Sequence, residues 1–183
     1  MALEIKKATR VQRPLKMNIA GVSGGGKTFT ALAIATGLGG DILVVDTERK
    51  SASLYADMFS FSTIELDEPS PMAFAEAFQL AENGGFKTVI LDSLSHAWDW
   101  VLAEKERIEK RTGKNSFQSW GDANHYYDQL LNSFLNSPLH VISTMRSKSD
   151  YVMEEYEDSK GRKRSKPIKV GLAAKFRPDG EYE

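Results

Sequence analysis

Cysteine is absent from this chain of 183 residues, which rules out disulfides and thiolate metal sites and fits a reducing compartment. The three histidines, His96, His125 and His140, lack metal-ligand spacing, so packing or solvent exposure is expected of each. Long apolar runs are missing as well: none approaches the roughly 20 residues that cross a bilayer. The charged stretch from Met1 to Arg10 has no apolar centre of the kind a signal peptide needs. A cytoplasmic protein without a membrane partner is therefore expected. Net charge is nearly nil, with 24 Lys and Arg against 25 Asp and Glu. Repeats and long linkers are lacking too, so residues 1–183 are expected to form a single domain, with 1–13 as an N-terminal extension.

What the chain does have is glycine concentrated in one place. Gly21, Val22, Ser23, Gly24, Gly25, Gly26, Lys27 and Thr28 match G-x-x-x-x-G-K-[ST], the phosphate-binding loop. The chemistry dictates these residue types. Several backbone N–H groups must converge on one concavity, which requires glycines that tolerate positive φ. The following helix adds its positive dipole end and its unpaired N–H groups. Lys27 is then expected on the β- and γ-phosphates of ATP, and the Thr28 hydroxyl on Mg²⁺. Phe29, next in the chain, belongs to the same nucleotide-binding segment.

Apolar β-branched runs alternate with helical stretches. Strands are predicted at 15–20, 42–46, 62–66, 88–92 and 140–144, and helices at 28–38, 51–58, 71–82, 95–111 and 120–136. Pro71 suits a helix start, and Asn83-Gly84-Gly85 a helix end. Such alternation implies an α/β fold with a mainly parallel sheet covered on both faces. Residues 112–119 read as a polar break. Beyond Thr144 the pattern changes: 151–156 and 167–172 read as the arms of a β-hairpin around 157–161.

Two acid-ended strands complete the site. Thr88-Val89-Ile90-Leu91-Asp92 places a carboxylate where phosphate-loop proteins hold Mg²⁺, and Ser93 either supports the metal or caps the next helix. Val44-Val45-Asp46-Thr47-Glu48 supplies the carboxylate that orients the attacking water. Side-chain alternation puts Asp46 and Glu48 on the same side, so the pattern alone does not choose between them; a turn-capping role is the stronger reading for Asp46.

Val45-Asp46-Thr47-Glu48, the short helix carrying Tyr55, the edge strand, Pro69-Ser70-Pro71 and Leu91-Asp92-Ser93 together resemble the ATPase core of RecA-type recombinases. The resemblance implies that Glu48 is the catalytic carboxylate alongside Lys27, that Tyr55 stacks on adenine, and that strand 140–144 lies between the loop strand and the Asp92 strand. The chain is most similar to small phage RecA-like ATPases, some of which act in single-strand annealing. The likeness lies in Asp92-Ser93-Leu94-Ser95-His96-Ala97-Trp98, in Thr144-Met145-Arg146-Ser147-Lys148, and in Lys169-Val170-Gly171-Leu172 through Glu181-Tyr182-Glu183. It implies an oligomer, ring or filament, on single-stranded DNA in a host cytoplasm, with a single-strand-binding protein as a further candidate partner. Thr144 stands where RecA has a γ-phosphate-linked glutamine, so it joins the nucleotide-site candidates with a different or weaker switch expected. The chain stops at Glu183 in what reads as mid-strand, and a longer natural chain is one expectation.

Eight Lys or Arg and no acid lie between Lys160 and Arg177, directly after Glu154, Glu155, Glu157 and Asp158. In a RecA-like fold segment 147–169 occupies the place of a DNA-binding loop, and Arg162, Lys163, Arg164 and Lys166 suit phosphate contacts. Tyr151 and Tyr156 offer stacking faces for bases. A solvated charged hairpin is the alternative. Lys166, Lys169, Lys175 and Arg177 are candidates to reach a neighbouring subunit's γ-phosphate. Trp98, Trp100 and Trp120 read as core or interface anchors, and the alternating charges of 104–111 as a solvated helix face. Two rival functions remain on the same core: a replicative-helicase-like or packaging motor, and a nucleotide-gated DNA-binding module with a vestigial ATPase.

Overall fold

The computed structural model describes residues 5, 7–8, 12–157 and 163–174, with side chains through Ser147 and at Ser165. Among the described residues six strands and four helices follow one another, with a short 3-10 turn at Ala52–Tyr55. The strands are β1 (Lys16–Gly21), β2 (Ile42–Asp46), β3 (Ser62–Glu65), β4 (Thr88–Asp92), β5 (His140–Glu157) and β6 (Lys163–Ala174). The helices are α1 (Lys27–Leu38), α2 (Pro71–Asn83), α3 (Ser95–Thr112) and α4 (Ser116–Asn136).

Five strands pair in parallel in the order β1-β5-β4-β2-β3, and β6 runs antiparallel along β5. The expected insertion of strand 140–144 between the loop strand and the Asp92 strand is what the sheet shows. Alternation along the strands sorts the core into two layers. Leu43, Val45, Val89, Leu91 and Val141 pack with α2, α3 and α4, while Ile42, Val44, Ile90 and Ile142 pack with α1. Trp98 stacks on Trp120 with 5.8 Å between ring centroids and an interplanar angle of 16°, and meets Tyr127 edge-on. Trp98 is thus a core anchor. Trp100, half-buried against the same core, also donates from Nε1 to Glu68 at 3.0 Å.

Local chemistry sets the helix ends. Ser70 Oγ accepts the Ala73 N–H, and Pro71 occupies the first helical position of α2, where no N–H is needed. Two expectations require correction here. The polar break predicted over 112–119 is far shorter, because Gly113 closes α3 at a φ of +68° and Asn115 caps α4 by accepting the Gln118 N–H at 2.9 Å. The helix predicted over 51–58 is only the 3-10 turn, followed by further turn structure.

The fifth strand also departs from expectation. Residues 140–144 and the hairpin arm 151–156 form one strand of 18 residues. The apolar run ends at Met145, but no glycine or proline interrupts 141–157, and β6 supplies ladder partners from Ser147↔Ala174 to Glu157↔Lys163. The register shifts between Asp150 and Tyr151, where Val170 is the extra residue of the opposite strand. At its start β5 is pinned to β1. Lys16 Nζ donates to the Ser137 and Leu139 carbonyls at 2.9 and 2.8 Å, and His140 Nδ1 accepts the Leu15 N–H at 2.8 Å.

Candidate nucleotide site

The carboxyl ends of β1, β4 and β2 converge beside the middle of β5, as open α/β sheets place their ligand sites. Between β1 and α1 the chain turns through Gly24 and Gly26, at φ of +74° and +75°. A Cβ added at either would meet nothing within 4 Å, so the concavity they line is open. Lys27 Nζ donates back to the Val22 carbonyl at 2.9 Å, folding its ammonium over the loop. Ser23, Gly24, Gly26, Lys27, Thr28, Glu48, Ser51, Tyr55, Asp92 and Arg146 surround a cleft of about 230 Å³.

Asp92 is 2% exposed and lies at its base. The Thr28 hydroxyl donates to Oδ2 at 2.7 Å, and the Thr144 hydroxyl to Oδ1 at 2.5 Å. Burial pushes the Asp92 carboxyl above its ordinary value, the two hydroxyls oppose that, and the charges of Glu48 and Asp46 add to it. Its β2 neighbour Asp46, equally buried, accepts the N–H groups of Glu48 and Ala52 at 2.6 and 3.2 Å. Asp46 thereby holds the turn that presents Glu48. Thr47 ties this turn to the end of β4: its hydroxyl accepts the Ser93 N–H at 2.9 Å and meets His96 Nδ1 at 2.6 Å.

Glu48 carries a two-pronged ion pair with Arg146, Nε to Oε1 at 2.9 Å and Nη2 to Oε2. His96 Nε2 stands 4.0 Å from the same Oε1. Beyond this pair opens a second cleft of about 700 Å³, lined by Arg49, Lys50, Glu65, Asp67 and His96 among others. Glu48 and Arg146 line both clefts.

A glycine loop followed by Lys-Thr at a helix start, with an acid strand one place removed, is the architecture of a phosphate-loop NTPase. A family model described as an AAA domain matches residues 13–172. The chain belongs to the AAA domain family. A search of curated proteins finds no match. Family membership makes this AAA domain a nucleotide-binding ATPase of the P-loop class.

The donor set of the AAA domain fits Mg-ATP. Mg²⁺ prefers hard oxygen ligands, one or two from protein and the rest from phosphates and water. Thr28 Oγ1 and the Asp92 carboxylate provide that pair beside an open phosphate cradle. Tyr55 lines the cleft, and its ring meets Phe29 edge-on at 5.9 Å, while Phe29 meets Phe59 at 5.3 Å. Phe29 is thus part of an aromatic wall behind Tyr55. Thr144 is fully buried and acts on Asp92 rather than lining the cleft. Ser93 is buried, with its Oγ accepting the Ser95 N–H at 3.3 Å.

Three contributors escape sequence reasoning. Arg146 stands in the sequence only as part of a likeness to phage proteins, and its partner is 98 positions away. His96, expected to be ordinary, sits against Thr47 and near Glu48. Thr47 is a neutral residue between two acids. The available signal was position: all three directly follow, or lie within four residues of, the end of a strand expected from the sequence (42–46, 88–92 or 140–144). Among the basic candidates, Lys163, Arg164, Lys166 and Lys169 fall on β6. Arg162, Lys175 and Arg177 lie outside the described residues, as do most of 1–13 and the tip of the hairpin. Among the described residues no helix is long and apolar enough to cross a membrane.

Proposed function

We propose that this AAA domain is a RecA-like ATPase that binds Mg-ATP, hydrolyses it slowly, and works as an oligomer on single-stranded DNA in phage-type recombination or strand annealing. One observation carries the reading. The strand inserted between the phosphate-loop strand and the Asp92 strand runs on without a break into the hairpin that bears the basic residues. A DNA contact on β6 would therefore be connected by one strand to Thr144 and Arg146.

Glu48 orients the attacking water, with the Asp46-held turn fixing its approach. Lys27 and the loop N–H groups cradle the phosphates, and Tyr55 faces the base. Magnesium, held by Thr28 and Asp92, would neutralise charge on the phosphates as it builds. A basic side chain such as Lys166 or Lys169 would reach a neighbouring copy's site.

ATP turnover with and without single-stranded DNA tests this, comparing the parent with Lys27→Ala and Glu48→Gln. DNA-stimulated turnover that both changes abolish is the expected result. Turnover indifferent to DNA would overturn the DNA-coupled mechanism, and turnover surviving Glu48→Gln would overturn the assignment of the carboxylate.

A further inference from the structure

The Thr47 hydroxyl sits at the centre of a small network. It accepts the Ser93 N–H at 2.9 Å and donates toward the Asp92 and Ser93 carbonyls, at 3.1 and 3.3 Å. His96, in the first turn of α3, brings Nδ1 to 2.6 Å from the same oxygen. A hydroxyl has one proton and two lone pairs. With its own proton directed at the carbonyls, Thr47 Oγ1 receives the Nδ1 proton of His96. The neutral ring is thereby held in the tautomer whose Nε2 carries no proton. That bare nitrogen stands 4.0 Å from Oε1 of Glu48, and the side chain that bears it is 20% exposed. The same ring lines the larger cleft of about 700 Å³.

We propose that His96 acts through Glu48 as a proton acceptor: Glu48 takes the proton of the attacking water, Nε2 of His96 receives it, and the larger cleft returns it to solvent. The inference rests on the reading of Glu48 as the acid at the attacking water. The step balances. The water O–H bond breaks as its oxygen bonds to the terminal phosphorus. The bond from that phosphorus to the bridging oxygen breaks, leaving its electron pair on the diphosphate, and one proton departs through the histidine. In water an imidazole holds a proton about two pH units more tightly than a carboxylate, so the transfer runs from acid to ring. Closing the gap to hydrogen-bond length takes about one ångström of side-chain rotation, and catalytic hydrogen bonds are often longer before substrate binds. Charged groups surround the ring from every neighbouring element: Glu48, Arg49 and Lys50 after β2, Glu65 and Asp67 at and beyond β3, Arg146 from β5, and Asp99 one turn along its own helix. Asp46 lines the same cleft, and Asp92 meets Thr47 through its carbonyl. Together these set the pH at which the ring fills from solvent, so the test removes the ring and leaves its surroundings in place.

Nitrogen-15 NMR of the full chain without nucleotide tests the tautomer, at a pH where the ring is neutral. His96 should carry its proton on Nδ1 in the parent and shift toward the Nε2–H form in Thr47→Val. A parent ring protonated on Nε2 alone would overturn the proposal, and this reading needs no variant to fold. Turnover against pH tests the proton path. The parent should show an acid limb, as the ring fills from solvent and stops accepting from Glu48. His96→Gln should lower kcat about tenfold or more, keep KM within about twofold, and move that limb to lower pH. His96→Ala should regain turnover when free imidazole is added, because the larger cleft gives it room beside Glu48. A limb that stays in place in His96→Gln, or no response to imidazole, would overturn the proposal and leave His96 a structural partner of Thr47. Turnover in Glu48→Gln equal to the parent's would instead overturn the reading of Glu48, and the proposal with it.

Discussion

Asp46 and Asp92 are register partners at the carboxyl ends of adjacent strands, both buried, and they do opposite work. The Asp46 carboxylate satisfies two backbone N–H groups of its own turn. The Asp92 carboxylate accepts two hydroxyls and faces the phosphate cleft. Replacement should therefore separate them. Asp46→Ala strands two donors and should cost about 2–4 kcal/mol in urea unfolding. Asp92→Asn removes a charge that burial disfavours, so nucleotide-free stability should hold or rise near neutral pH while turnover is lost. The sign follows from linkage. An acid held above its ordinary 3.8 contributes stability that is fully present below that value and lost as pH rises through its folded-state pKa. A large drop in melting temperature for Asp92→Asn would contradict this account.

His140 gives a second pH signature with the reverse sign. Its Nδ1 accepts the Leu15 N–H, which requires an unprotonated nitrogen there. Burial first, then the charges of Lys87 and Lys16, push the ring below its ordinary 6.5. The associated stability is present above 6.5 and is lost as pH falls through the folded-state pKa. Urea midpoints measured from about pH 7.5 down to about pH 5 should show a steeper loss for the parent than for His140→Gln. Parallel curves would show that the histidine does not carry this dependence.

The basic hairpin makes a prediction in salt. Changing Arg162, Lys163, Arg164 and Lys166 together to Ala should flatten the plot of log affinity for single-stranded DNA against log salt. Each phosphate that a cation neutralises adds about 0.7 to the slope on a single strand, so removing all four cations should lower it by roughly 3. An unaltered slope would make the hairpin the solvated charged ribbon that its composition also allows.

The features that could be read from the sequence are those whose determinants are contiguous. Eight consecutive residues specify the phosphate loop, and Ser70-Pro71 marks the start of α2 within a single turn. The insertion of β5 between the loop strand β1 and the Asp92 strand β4 came from a family likeness and agrees with the observed order. The pairing of Arg146 with Glu48 depends on how the middle of β5 meets the turn after β2, which no local pattern encodes. The length of β5 was hidden for a different reason. Its second half changes to a polar composition because its partner is a lone antiparallel strand, whereas parallel strands flank its first half on both sides. The 112–119 break was overestimated because a helix cap needs only Gly113 and Asn115, and the polar residues beyond them already belong to α4.

The uninterrupted run of β5 has a mechanical consequence. At about 3.3 Å per residue its 18 residues span roughly 60 Å, one end wedged between two parallel strands and the other in the ribbon with β6. The strand acts as a beam clamped at the sheet end. A load applied along the ribbon is carried in shear by the β1 and β4 ladders rather than by a hinge, and the bulge at Asp150/Tyr151 is the place where the beam can twist. Grafting the ribbon onto another scaffold would therefore mean cutting through an interior strand of the ATPase sheet.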